Sequence, residues 1–206
     1  MLQGAGVRPG IGHAARALPG DDLVPDARLV VDRATVLPAS AADVWPWLVQ
    51  LGRGRGGWYL PAWAECLAPR TAGRGARAIV PGWQQLTVGQ TVPDWGPGRP
   101  VLRVEAASAP DLLVFRSLRQ RSIGWRWPAR GTYVGRRPVD SVELSWALVL
   151  VDLGDGTSRL HARLRGAAGW RHVPAFALAV GCLLESAAVD LLFAGLRERL
   201  RTVSRD

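Results

Sequence analysis

Few side chains in this sequence suit a catalytic centre. Glu185 is the best placed, because it interrupts an apolar stretch. Burial in an apolar cavity raises a carboxyl pKa and fits the group for general acid/base work. Glu65 and Asp190 are the other carboxyls that could face such a cavity. The plainer expectation for all three is an exposed or ion-paired helix carboxylate, so no catalytic residue is assigned. The three histidines are scattered at His13, His161 and His172, and no Ser/Cys-His-acid set is evident. There is no HExxH run, and Cys66 and Cys182 have no metal-type spacing. The expectation is therefore no metal and no cofactor.

Two segments carry the other chemically suggestive patterns. Gly52-Arg-Gly-Arg-Gly-Gly57 resembles a phosphate cradle in composition. However, it follows a helix pattern instead of a strand and lacks a Gly-Lys-Ser/Thr ending. A tight connection that lets backbone pass close to a sheet is expected. The segment from Arg116 to Val139 holds Arg116, Arg119, Arg121, Arg126, Arg130, Arg136 and Arg137 without an acid. It interleaves Trp125, Trp127 and Tyr133. Arginine with stacking aromatics suits nucleic-acid contact or a membrane surface. The favoured reading is an extended hairpin whose aromatics cap a cavity mouth while its arginines are solvated. Contact with nucleic acid or membrane through Arg116 to Arg137 is the lesser alternative.

Composition sets the bounds. All 26 basic residues are arginine, Lys and Asn are absent, and the net charge is +9. A GC-rich coding sequence explains this bias, which weakens the arginine count as a functional signal. The charge would still attract anionic partners. An apolar share of 48% is ample for a core in a 206-residue chain. Two cysteines without a disulfide framework fit a reducing compartment. Met1 to Gly20 contain no continuous apolar signal segment, so a cytoplasmic location is expected. Residues 1–20 read as a flexible tail and 21–206 as one domain.

The elements that would position these groups follow from periodicity. Arg28 to Leu37 reads as a strand. Ser40 and Asp43 have capping-box spacing, and Val44, Trp45, Trp47, Leu48 and Leu51 form an apolar helix side. Because Pro46 would fall deep in a helix capped by Ser40, the regular helix is expected to begin near Asp43. Trp58 to Leu67 reads as a second short helix. Ala78 to Val80 and Leu86 to Val92 are short strand candidates. Val101 to Ala107 and Leu112 to Leu118 form a hairpin. In Val142 to Val151, Val142, Leu144, Trp146, Leu148 and Leu150 alternate with Glu143, Ser145 and Ala147. Arg159 to Arg165 alternates likewise, placing His161 on an arginine face. Both patterns predict a sheet with one buried and one wet face. Pro174 to Arg201 is a long helix. Its uncharged run, Val173 to Leu184, spans 12 residues. A bilayer needs about 20 apolar residues, so a core-lining helix is expected instead of a membrane span.

Val44-Trp45-Pro46-Trp47-Leu48-Val49-Gln50 and Arg55-Gly56-Gly57-Trp58-Tyr59 together carry a resemblance. Leu86 to Gln90, Trp146 to Leu150 and the terminal helix extend it over about Asp22 to Arg201. The chain resembles the START/polyketide-cyclase (SRPBCC) superfamily, and more narrowly a bacterial branch of it with no agreed catalytic residues. The resemblance implies an α+β helix-grip fold. In that fold a curved antiparallel sheet wraps a long C-terminal helix, with two short helices after the first strand. It also implies a cavity between sheet and helix for a hydrophobic small molecule, lipid or polyketide-like. The lining expected on that basis comprises Trp45, Trp47, Trp58, Tyr59, Phe115, Leu144, Trp146, Leu148, Phe176, Val180 and Leu184. A cyclase- or dehydratase-type enzyme using the same cavity is the alternative, and the sequence does not decide whether turnover occurs.

Overall fold

The computed structural model describes residues 17–67, 74–95, 98, 100–127, 137–170 and 172–203. Most of the expected tail, including His13, lies outside the described residues, as do Arg130, Tyr133 and Arg136. Strands β1 (Leu29–Leu37), β2 (Thr91–Pro93), β3 (Val101–Ser108), β4 (Leu112–Gln120), β5 (Ser141–Asp152) and β6 (Ser158–Ala168) form one antiparallel sheet. Its order is β1-β6-β5-β4-β3-β2. Helices α1 (Ala41–Val49) and α2 (Ala62–Leu67) lie between β1 and β2 in the chain, and α3 (Ala175–Val203) closes it. This is an α+β helix-grip architecture.

The sheet's register explains its inner face. Val104 pairs with Phe115, Phe115 with Trp146, Trp146 with Leu164, and Leu164 with Val31. Opposed residues share a face, so these five form one apolar row across five strands. All five are buried. Helix α3 packs onto this side through Val189, Leu192, Phe193, Leu196 and Leu200. Their spacing is that of a single helical stripe.

The opposite face differs from expectation, because its centre is buried too, although Val30 and Val36 at its β1 edge are exposed. Glu143, Ser145, Ala147 and Arg163 are each less than 5% exposed. Residues 18–28 lie across it. Arg163 reaches Asp21 at 2.9 Å and Asp32 at 2.8 Å, and Arg165 donates to the Val24 carbonyl at 3.2 Å. Arg137 holds Asp26 at 2.7 Å. His161 pairs with Asp32 instead of standing free. Residues 17–20, read as tail from sequence, belong to this covering. The Leu18 amide donates to Asp21, and Gly20 rests on Val114.

Other boundaries also shift. Ser40 caps α1 after all, accepting from the Asp43 amide at 3.2 Å and donating to its carboxylate at 2.6 Å. Pro46 therefore sits inside the helix. The short helix loses one backbone bond there, which the burial of Val44, Trp47 and Leu48 offsets. The second short helix starts only at Ala62, and of the two short strand candidates only Thr91–Pro93 forms. Gly52 behaves as expected of a close approach: a Cβ there would stand 2.1 Å from Val92. Arg55 of that loop donates to the Val49 carbonyl at 3.2 Å, capping α1.

By length and hydropathy, Ala175–Thr202 could cross a bilayer. Its C-terminal half is nevertheless occupied by core packing. The N-terminal half is not: Phe176 is 72% exposed, Val180 50%, and Leu184 65%. The sequence reading places these three inward, but the helix turns that face to solvent and packs with the residues after Ala188.

Candidate functional site

A cavity of about 360 Å³ lies between the inner sheet face and α3. From α3 it takes Glu185, Ala188, Val189 and Leu192. These fall at i, i+3, i+4 and i+7, which is one face of a helix. Strand β5 supplies Leu144 and Trp146, two residues apart and so on the same side. Leu102 and Leu164 extend the apolar wall from β3 and β6.

The remaining wall comes from irregular backbone. Trp58 is delivered by a buried turn in which Tyr59 adopts φ 49°. Three contacts hold that left-handed conformation. The Tyr59 hydroxyl donates to the Trp47 carbonyl at 2.9 Å, the two rings meet edge-on at 5.5 Å, and the Arg199 guanidinium lies 4.8 Å over the Tyr59 ring. Trp58 is thereby set against Trp146, 5.4 Å between ring centroids. Phe115 stacks behind Trp146 at 6.0 Å.

The charged residues of the wall are Asp94, Arg119 and Glu185. Arg119 is held by three protein acceptors. Its Nε donates to Ser117 Oγ at 3.1 Å, its Nη2 to Asp94, and its Nη1 to the Trp95 carbonyl at 3.5 Å. Ser117 is itself tied to the Val101 carbonyl at 2.8 Å. A guanidinium has five N–H groups, so two find no acceptor among the described residues. Burial raises the Asp94 pKa even though the Arg119 charge and the Trp95 amide oppose it. Glu185 makes no hydrogen bond or ion pair among the described residues. Burial raises its pKa too, with Arg119 opposing and Asp94 reinforcing the rise. The indole N–H groups of Trp58, Trp95 and Trp146 are buried without a hydrogen-bond partner among the described residues.

Of the residues expected to line a cavity, Trp58, Leu144 and Trp146 do so, together with Glu185. Trp47, Tyr59, Phe115 and Leu148 are buried in the core behind it, and Trp45 packs at the core's edge. Phe176, Val180 and Leu184 stand outside, on the exposed part of α3. The other carboxyls face elsewhere. Glu65 bonds Arg199 at 2.7 Å and Arg77 at 2.6 Å, and Asp190 lies 3.7 Å from Arg33. The sequence reading missed Leu60, Asp94, Trp95, Leu102, Arg119, Ala188, Val189 and Leu192 as cavity residues. Only the last two carried a signal, the helical spacing of the stripe.

Of the arginine-rich segment's five described arginines, Arg121 and Arg126 are exposed as expected, whereas Arg116, Arg119 and Arg137 are not free in solvent. Arg116 and Arg137 pair with Glu143, and Arg119 with Asp94, so the acids come from other segments. Among the described residues no group of three or more metal-ligating side chains converges.

No protein-family model matches the chain, and no curated protein matches it. Several solved structures are similar in arrangement. Protein MLL2253 from Mesorhizobium loti is 14% identical, with 84% of this chain and 97% of that one covered at a TM-score of 0.45. DynU16, a protein of the dynemicin biosynthetic locus, is 16% identical, with 84% and 47% covered at 0.46. This chain thus spans about half the length of DynU16. CalU16 from Micromonospora echinospora is 14% identical, with 85% and 81% covered at 0.42. These likenesses are distant, and no assignment rests on them.

Proposed function

We propose that this chain is an outlying member of the START/polyketide-cyclase superfamily that binds a hydrophobic small molecule, lipid or polyketide-like, between its sheet and α3. One observation carries the reading: an apolar cavity of about 360 Å³ whose polar corner holds an anchored guanidinium with two donors unmatched among the described residues. The site residues on this reading are Trp58, Leu144, Trp146, Glu185 and Arg119. The free thiols, Cys66 and Cys182, suit a cytoplasmic protein.

Magnitudes favour a ligand with a polar group. Burying about 300 Å² of apolar ligand surface yields roughly 7 kcal/mol gross at about 25 cal/mol/Å². Association costs remove a large share, whereas micromolar affinity needs about 8 kcal/mol net. A hydrogen bond to a charged donor adds about 1.5–3 kcal/mol. A carbonyl or hydroxyl oxygen at Arg119 would supply such a bond, and the unmet indole donors also favour ligand oxygens. The cyclase- or dehydratase-type alternative uses the same cavity and differs only in whether Glu185 moves a proton.

Native mass spectrometry of freshly purified protein, followed by solvent extraction, tests the binding reading. The expected result is a one-to-one adduct of an apolar, oxygen-bearing compound. An apo mass, with no thermal shift across a panel of lipids and aromatic ketones, would contradict it.

A further inference from the structure

We infer that the cavity selects amphiphilic amines: the ligand's protonated nitrogen pairs with Glu185 at the cavity mouth, its apolar body lies against Trp58, Trp146 and Leu192, and an oxygen accepts from Arg119. The inference rests on the binding reading and names a ligand class for that site.

Charge in the cavity wall does not balance. Asp94 and Arg119 neutralise each other, and Glu185 adds a second carboxyl. Elsewhere in the fold, Glu65 holds Arg199, Glu143 holds Arg116 and Arg137, and Asp32 holds Arg163. Glu185 has no such partner among the described residues, although the chain carries a net charge of +9. Its counter-charge is therefore left for a ligand to bring.

Filling the cavity sharpens this selection. An apolar ligand would strip further water from Glu185, and a carboxylate taken out of water without a partner is costly. A neutral ligand thus works against its own binding, and an anionic one adds repulsion from two carboxyls. An ammonium supplies the counter-charge and N–H donors in one step, and such charge-assisted hydrogen bonds are the strong ones. Arg119 and Asp94 are the other charged groups facing Glu185, and burial by the protein alone already raises its pKa.

Position favours the same ligand. Glu185 and Ala188 lie about one turn apart in the wall, and Ala188 is exposed while Glu185 is half-buried, so the two mark the mouth. Leu192, about one turn further along α3, is 3% exposed. Trp146 of β5 is 8% exposed, and its indole N–H is unmatched among the described residues. The wall therefore runs from an acidic rim to an apolar, aromatic floor. An amphiphilic amine has the same order of parts. Its ammonium keeps some hydration at the rim, which limits the desolvation cost, while its apolar body is buried. An ether or hydroxyl oxygen between them can accept from Arg119 or the Trp146 indole.

The test compares three compounds that share a naphthyloxy body. Propranolol carries a secondary amine, 3-(1-naphthyloxy)propane-1,2-diol has a hydroxyl in its place, and 1-naphthoxyacetic acid is an anion. Affinities are read by titration calorimetry. At neutral pH the native protein is expected to bind propranolol one-to-one, about tenfold or more tighter than the diol, with the acid weakest. As pH falls, propranolol should lose its advantage through an inflection above the ordinary carboxylate range, because protonated Glu185 offers no counter-charge; the diol should not weaken. Glu185→Gln should bind amine and diol alike and show no inflection. Equal binding of propranolol and the diol by the native protein would overturn the inference, as would tighter binding of the acid or an amine preference that survives in Glu185→Gln. Each of those results would leave the binding reading standing. If none of the three bound, the binding reading would fall with the inference.

Discussion

Gly195 of α3 lies so close to the Tyr59 backbone that a Cβ there would stand 1.5 Å from the Tyr59 carbonyl oxygen. This crossing lies next to the cavity wall. Trp58 and Leu60 flank Tyr59 on one side, and Leu192 precedes Gly195 by about one helical turn. In an ordinary helix, alanine is better than glycine by about 1 kcal/mol. Here the sign should reverse. Gly195→Ala is expected to cost on the order of 3 kcal/mol. Gly181→Ala, whose one close neighbour among the described residues is the flexible end of Leu29 at 3.0 Å, should gain up to about 1 kcal/mol. Urea unfolding of both variants checks the pair.

Glu185 should make stability depend on pH with a defined sign. Its folded pKa is raised by burial, so between the unfolded and folded values the native state binds more protons. Stability therefore falls as pH rises through that interval. Glu185→Gln mimics the protonated form, so it should melt higher than the native protein at pH 8. The difference should vanish below the unfolded carboxylate pKa of about 4.3. Thermal melts from pH 3.5 to 8 read this directly.

Arg199 and Glu65 form a buried pair away from the cavity. Arg199 is 1% exposed and also donates to the carbonyls of Ala76, Leu60 and Gly195. Arg199→Met leaves Glu65 with only the more exposed Arg77 as a cation and takes the donor from three carbonyls, so it should cost about 3–5 kcal/mol. Adding Glu65→Gln should recover part of that loss. Chemical denaturation of the single and double variants measures the coupling.

The exposed and buried halves of α3 should respond differently to substitution. Leu184→Ser, at a solvent-facing position, is expected to change stability by less than about 0.5 kcal/mol. Leu192→Ala, 3% exposed at the cavity wall, should cost about 2–5 kcal/mol. Calorimetry of the two variants checks this reading of the helix.

That helix also shows what sequence reveals and what it hides. The alternation in β5 predicts its strand and the inward Trp146, because an apolar face leaves a period of two. The Ser40–Asp43 spacing predicts a cap, although Pro46 argues for a later helix start. In α3 the uncharged run from Val173 to Leu184 draws attention to Phe176, Val180 and Leu184. The stripe of Val189, Leu192, Phe193, Leu196 and Leu200 is the buried one, and charges between its members disguise it. Asp94 and Trp95 follow a three-residue strand with no periodicity to mark them. For Arg119 the sequence shows a cation among cations, and its carboxylate partner lies on another segment. Pairing across the fold is what a linear reading lacks, and it turns an expected basic surface into one corner of a cavity.

The most direct test of the central claim is a titration with 1-N-phenylnaphthylamine, a neutral fluorophore that brightens in apolar surroundings. The native protein is compared with Ala188→Phe, which adds bulk at the cavity wall on an exposed helix position. Saturable one-to-one binding by the native protein, weakened by about tenfold or more in Ala188→Phe, is expected; that ratio is about 1.4 kcal/mol. Equal binding by both proteins would contradict the account and move the apolar site to the exposed face of α3 around Phe176 and Leu184.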